Sequence, residues 1–236
     1  MGLAIKGKKV IGLALNGKKI LGEAKNGKVI WRFSIDIKPW KFTADSTVNS
    51  VAVDSSGNVY VGTNSSSVYK LNASGNQVWK FTAIFIVNSV AVDSSGNVYV
   101  GTTGNSVYKL NASGNQVWKF TADSTVYSVA VDSSGNVYAG TASNSVYKLN
   151  ASGNQLWQFT ADNWVNSVAV DSSGNVYAGT GGNSVYKLNA SGNQVWKFAA
   201  DGTVQSVAVD SSGNVYAGTG GNSVYKLTPD GSNTTT

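Results

Sequence analysis

The sequence holds no cysteine and no histidine, a single methionine and two prolines. Without thiols it can build neither a disulfide scaffold nor a thiolate metal site, and it has no cysteine nucleophile. Without imidazole, His-based acid–base chemistry is excluded. No apolar run approaches the eighteen residues of a spanning helix, and the N-terminal MGLAIKGKKV lacks the apolar core of a secretory signal. The sequence therefore predicts no membrane span and no general export signal. Arginine is nearly absent as well: Arg32 stands alone, so the clustered arginines with interleaved aromatics that mark a nucleic-acid surface are missing.

What charge there is lies unevenly. Residues 1–38 carry nine of the eighteen basic groups and only two acids, Glu23 and Asp36, whereas the remainder is close to neutral. A basic patch of this kind either meets an acidic partner or serves as a solvated lysine-rich edge that keeps a small sheet soluble.

The rest of the chain is a repeat. Trp40, Trp79, Trp118, Trp157 and Trp196 recur at a constant spacing of 39 residues. Each copy contains four short runs rich in Val, Tyr, Trp and Phe that alternate with the period of a strand. In the first copy these are VNSVAV (48–53), NVYVGT (58–63), SVYKLN (67–72) and QVWKF (77–81). Between them lie DSSGN and NASGN, in which Gly supplies a positive φ and Asp or Asn bonds its own turn. Four antiparallel strands, A to D, per 39 residues predict propeller blades. The last copy lacks its QVWKF run, and IKPWKF (Ile37 to Phe42) supplies such a run at the other end. The expectation is an all-β, five-bladed β-propeller over residues 37–230, closed by that N-terminal strand, with a disordered tail at 231–236.

SVAVDSSGNVYVGT with SVYKLN resembles the NHL type of propeller repeat, and GNQVWKF is similar to the closing strand of PQQ-like propeller repeats. That resemblance covers about residues 37–227 and implies the fold more than a function, because such repeats serve enzymes, assembly factors and adhesins alike. The quinoprotein enzymes of that superfamily would imply a metal-and-cofactor site with vicinal cysteines and converging acids, and neither is present. No enzyme, cofactor or metal site is expected.

Residues 1–36 follow a ten-residue rule, with Lys6-Gly7, Asn16-Gly17 and Asn26-Gly27 at its corners. Asn-Gly is the strongest two-residue hairpin signal, so a meander of about four strands is expected. So small a sheet needs a partner for its apolar side. It would pack on the propeller, associate with copies of itself, or stand as a degenerate sixth blade. Against the last, a spacing of nine from Trp31 to Trp40 is too short for strands A, B and C. KGKKVIGLALNGKKILG loosely resembles small β modules of phage-tail and other virion proteins.

The copies differ chiefly in two places. The stretch before strand A reads Asp45-Ser46-Thr47-Val48-Asn49, then Ile84-Phe85-Ile86-Val87-Asn88 and Asp123-Ser124-Thr125-Val126-Tyr127. In the last two copies it reads Asp162-Asn163-Trp164-Val165-Asn166 and Asp201-Gly202-Thr203-Val204-Gln205. The second variable stretch follows strand B. In a four-stranded meander the D–A and B–C connections share one face, and the uniform A–B and C–D turns share the other. Strict φ/ψ demands would keep those turns uniform; the variable face is the place where a rigid scaffold displays binding loops. Asn49, Asn88, Tyr127, Asn166 and Gln205 would form a polar ring able to donate to and accept from sugar hydroxyls. Phe85, Tyr127 and Trp164 would offer stacking faces, and Ile84-Phe85-Ile86 either meets a partner or folds inward over the channel. Asp54 and its copies read as turn caps.

The expected function is lectin-like, non-catalytic recognition of a glycan or cell-surface receptor, extracellular or virion-associated. The expected ligand residues are Asp45, Asn49, Ile84, Phe85, Ile86, Asn88, Asp123, Tyr127, Asp162, Trp164, Asn166, Asp201 and Gln205. Residues 1–36 would attach to a virion or other assembly partner, or join chains into a homo-oligomer. The alternative is a structural virion or shell decoration protein without a small-molecule ligand.

Overall fold

The structure, a computed structural model, describes residues 3–5, 8–15, 18–25, 28–34 and 39–233. The chain forms two compact units, Met1–Lys41 and Phe42–Thr236. In the first, β1 (Leu3–Ile5), β2 (Lys8–Leu15), β3 (Lys18–Lys25) and β4 (Lys28–Ser34) pair antiparallel in chain order. Ile5 faces Lys8, Leu15 faces Lys18 and Lys25 faces Lys28, the register that two-residue turns impose. The turn residues themselves and 35–38 lie outside the described residues.

The second unit is a row of β-propeller blades. The first blade is β5 (Val48–Val53), β6 (Val59–Thr63), β7 (Ser67–Leu71) and β8 (Gln77–Thr82). The second is β9 (Val87–Val92), β10 (Val98–Thr102), β11 (Ser106–Leu110) and β12 (Gln116–Thr121). The third is β13 (Val126–Val131), β14 (Val137–Thr141), β15 (Ser145–Leu149) and β16 (Gln155–Thr160), and the fourth β17 (Val165–Val170), β18 (Val176–Thr180), β19 (Ser184–Leu188) and β20 (Gln194–Ala199). The fifth has three strands, β21 (Val204–Val209), β22 (Val215–Thr219) and β23 (Val224–Leu227). Strands pair with their chain neighbours, as short turns favour.

Each uniform turn is made by its first residue. Asp54 accepts the Ser56 and Asn58 amides on one carboxylate oxygen, both at 2.9 Å, and the Asn58 side chain and Tyr60 hydroxyl on the other. The set recurs at Asp93, Asp132, Asp171 and Asp210. One side chain thus caps the A–B turn and partners a tyrosine buried in the core. The bond to tyrosine, six residues away, is an added reason why DSSGN is invariant along the chain.

The core lies between blades rather than within them. Val87 and Val90 of β9 sit on Gly62 of β6, where an added Cβ would stand 2.5 Å from a Val87 methyl. The Asn49 amide donates to the Val87 carbonyl and the Val90 N–H donates to the Ser50 hydroxyl, each at 3.0 Å. At the outer rim Trp79 lies over Gly114 and donates its indole N–H to the Ala112 carbonyl at 3.1 Å. Gly114 holds φ +85, so both its backbone and the indole require glycine there. Phe81 meets Tyr108 edge-on at 5.9 Å. The Trp and Tyr series therefore lines the junctions. Trp118→Ala, at the next junction, should lower unfolding free energy by about 2–4 kcal/mol in a denaturant titration, since it empties a half-buried site and leaves the Ala151 carbonyl to the Lys109 ammonium alone.

The ring, however, is not seen to close. Val48 is 47% exposed where its equivalent Val87 is 0%. At the far end nothing lies within 4 Å of a Cβ placed on Gly218, the equivalent of Gly62. Residues 39–42 form no strand, Ile37 and Lys38 lie outside the described residues, and among the described residues no strand D completes the fifth sheet. Phe42 packs edge-on against Tyr69 at 5.2 Å, the place Phe81 takes against Tyr108. Near-identical junctions impose near-identical rotations, and a five-blade ring needs roughly 72° from each. Beyond β23 the Thr228 carbonyl accepts the Gly231 amide and Leu227 bridges Asn233, forming a last C–D turn; residues 234–236 lie outside the described residues.

Candidate functional site: the variable loop face

The two variable loops of each blade are joined by hydrogen bonds. In every blade the first residue of the B–C connection donates its amide to the third residue of the D–A loop: Asn64 to Thr47, Thr103 to Ile86, Ala142 to Thr125, Gly181 to Trp164 and Gly220 to Thr203. The face also runs across junctions, because the Thr125 hydroxyl donates to the Thr103 carbonyl at 3.1 Å and the Thr203 hydroxyl to the Gly181 carbonyl at 3.3 Å. Two aromatic residues of this face sit on glycines. Phe85 lies over Gly104, where a Cβ would be 1.8 Å from its ring, and Trp164 over Gly181, at 2.2 Å. Part of the B–C variation thus follows from the D–A residue above it.

Four of the predicted ligand residues are structural clamps. Asp45 accepts the Thr63 hydroxyl at 3.1 Å, the Ser67 hydroxyl, and the Lys80 ammonium at 3.0 Å. Burial works to raise its carboxyl, but bonds from Ser65, Ser67, Lys80 and Tyr69 outweigh that and hold it far below the usual carboxylate range. Asp162 is held low in the same way by Ser184, Lys197 and Thr180. Asp123 binds Thr141 and Ser145, with Gln158 in place of the lysine, and Asp201 binds Thr219 and Ser223. These aspartates, expected to face a ligand, pin the D–A loop to the B–C connection.

The polar ring is likewise engaged. Asn49, Asn88 and Asn166 donate their amides to Val87, Val126 and Val204 across the junctions, each at 3.0 Å. Tyr127 occupies the same register position in the third blade and is 40% exposed, and Gln205 stands exposed on the free edge of β21. Ile84 is 70% exposed, Phe85 half-exposed with one ring face on Gly104, Ile86 partly buried and Trp164 44% exposed. Of the thirteen, Ile84, Phe85, Tyr127 and Trp164 therefore remain as large exposed groups, on three consecutive blades. A larger cleft of about 420 Å³ lies on the opposite, uniform face between the fourth and fifth blades. Its Asp171 and Asp210 are consumed by their own turns. Among the described residues no three acidic side chains converge as a metal site.

Sequence reasoning passes over the residues that receive the clamp: Thr102, Ser106, Tyr108 and Lys119 in the second blade, where Ile84 has replaced the aspartate. The signal was the exchange at Ile84 itself, whose consequence appears only when strands B, C and D are brought together.

No curated protein matches this chain significantly. A family model described as outer membrane protein assembly factor BamB matches residues 19–85, 74–164 and 142–234, which span the blades and part of the N-terminal meander. The chain is a β-propeller repeat protein and belongs to this PQQ-type repeat family.

Proposed function

We propose that this chain is a non-catalytic binding module that grips a partner protein with the variable face of its second to fourth blades. The observation that carries this reading is the exposure of Ile84, Phe85, Tyr127 and Trp164 on loops whose backbone is pinned by hydrogen bonds. Large apolar groups on a rigid frame lose little entropy on binding and are the side chains from which interface hot spots are built. The family description names an assembly factor, in keeping with a scaffold that holds other proteins. With the Asn49, Asn88 and Asn166 amides committed to neighbouring blades, fewer donors remain for sugar hydroxyls than the sequence suggests. Stacking of a glycan on Trp164 and Tyr127 is the second reading, favoured by their exposed ring faces. In either case residues 1–36, with their basic excess, would serve as the attachment segment.

The test compares wild type with Phe85→Ala/Tyr127→Ala/Trp164→Ala in quantitative cross-linking to native cell extract and on a glycan array. The triple variant should keep its melting temperature within a few degrees and lose at least ~10-fold in capture of whatever the wild type retains. Equal capture by both proteins would remove this face from consideration. A glycan signal lost in the variant would select the carbohydrate reading.

A further inference from the structure

The second blade contains a receptor whose own occupant is missing. In the first and fourth blades the same side chains converge on an aspartate: a Thr at the end of strand B, a Ser and a Tyr on strand C, and a Lys on strand D. Thr63, Ser67 and Lys80 bind Asp45, and the Tyr69 hydroxyl also bonds it. Thr180, Ser184 and Lys197 bind the Asp162 carboxylate, and the Asp162 N–H donates to the Tyr186 hydroxyl at 3.2 Å. The second blade keeps every one of these donors as Thr102, Ser106, Tyr108 and Lys119 but has Ile84 where the aspartate belongs.

The loss leaves marks. Tyr108 is 2% exposed and its hydroxyl is buried with no hydrogen-bond partner. An orphaned buried hydroxyl is rare in folded proteins and costs about 1–3 kcal/mol. Lys119 keeps its place over the Tyr108 ring, 5.5 Å from the centroid, as Lys80 does over Tyr69 at 5.3 Å. Unlike Lys80 and Lys197, it has no carboxylate partner among the described residues. The Ser106 hydroxyl has turned to the Gly104 carbonyl at 2.9 Å. Ile84 does not fill the position, because its side chain points to solvent. Beside it a cavity of about 260 Å³ opens, lined by Phe81, Thr82, Ala83, Ile84, Tyr108, Gln116 and Lys119, with the buried Thr102 and Ser106 outside its lining. The position is reachable from solvent, since the carboxylates that fill it in the first and fourth blades are 29% and 28% exposed.

We infer that this cavity binds a carboxylate group from outside the chain, held by the Lys119 ammonium and Tyr108 hydroxyl that line it, with the Ser106 and Thr102 hydroxyls turning from their present carbonyl partners to join them. The copies identify the ligand class: four of the five D–A loops supply a carboxylate at this place from their own Asp, and the fifth has only its donors. The cation and the hydroxyls match a carboxylate, which accepts through two oxygens and offers no proton of its own. The carrier is a small carboxylic acid or an Asp or Glu side chain presented on a peptide. The site rests on the cradle alone and stands whether or not the exposed aromatics bind a partner.

Full-length protein should be titrated at pH 7 with acetate, with an N- and C-blocked Gly-Asp-Gly tripeptide, and with chloride at matched ionic strength. Amide resonances of residues 102–108 and 119 report binding. Saturable shifts confined to that segment are expected with a carboxylate and absent with chloride. Response to both probes assigns a small-acid site, and response to the peptide alone assigns an acidic side chain. Lys119→Gln should weaken the response at least ~10-fold, since the charge-assisted bond is lost. Ile84→Asp should abolish it and raise the melting temperature, because the chain then fills the cradle as it does in its other blades. No saturable shift with either carboxylate would overturn the inference, as would an undiminished response in Ile84→Asp.

Discussion

Gly140→Ala should destabilise the protein by about 1–3 kcal/mol, whereas Gly218→Ala should change stability by less than about 0.5 kcal/mol. Both glycines stand in the same VYAGT run, in the third and fifth blades. At Gly140 a Cβ would lie 2.6 Å from a Val165 methyl and 3.0 Å from the Val165 carbonyl oxygen, so the neighbouring strand would have to move. At Gly218 nothing lies within 4 Å, because among the described residues no further blade packs on this sheet. A packed interior rejects one added methyl, whereas an open sheet face accepts it and gains a little strand propensity. Paired urea titrations measure both. An equal loss at both sites would mean that the free face of the fifth blade is covered in solution, by closure of the ring or by another copy of the chain.

The second large effect concerns the Asp–Tyr pairs. Burial works to raise the carboxyls of Asp93, Asp132 and Asp171, but bonds from the following Asn, its amide and the tyrosine hydroxyl outweigh it and hold them below their ordinary value. Their contribution is complete above the unfolded carboxyl pKa, near 4, and is lost as pH falls further. Tyr99, Tyr138 and Tyr177 are shifted the other way, first by burial and then by the carboxylate each one donates to. Their contribution is complete below the ordinary tyrosine pKa, near 10, and is lost as pH rises beyond it. Stability should therefore be nearly flat between about pH 5 and 9 and fall on both sides. Asp132→Ala removes a turn cap and orphans the fully buried Tyr138 hydroxyl, an expected loss of about 2–4 kcal/mol at pH 7. It should also shrink the acid limb, because one depressed carboxyl is gone. A denaturant series from pH 2 to 11 on both proteins checks this, and an acid limb of unchanged size in the variant would count against the pairing.

Much of this molecule can be read from its sequence. The 39-residue period, the alternation within each run and the Gly-containing turns determine the strands, because each of those signals is local and repeated. The Asn-Gly corners determine the register of the meander for the same reason. The sequence also locates variation on one face, since strand direction alone assigns the loops to sides. What the variable residues do was decided by the tertiary structure. Asp45, Asp123, Asp162 and Asp201 look like free loop carboxylates until Thr, Ser and Lys from strands B, C and D close around them. Asn49 and its copies look like a ring of open amides until the next blade arrives, 38 residues later, to accept them. Whether the arc closes depends on the rotation at each junction, which is set by how Val87 and Val90 settle on Gly62 and not by the number of repeats. The vacancy beside Ile84 is a property of that assembly too: one exchanged letter in a loop leaves the buried Tyr108 hydroxyl and the Lys119 ammonium, from two other strands, facing a cavity.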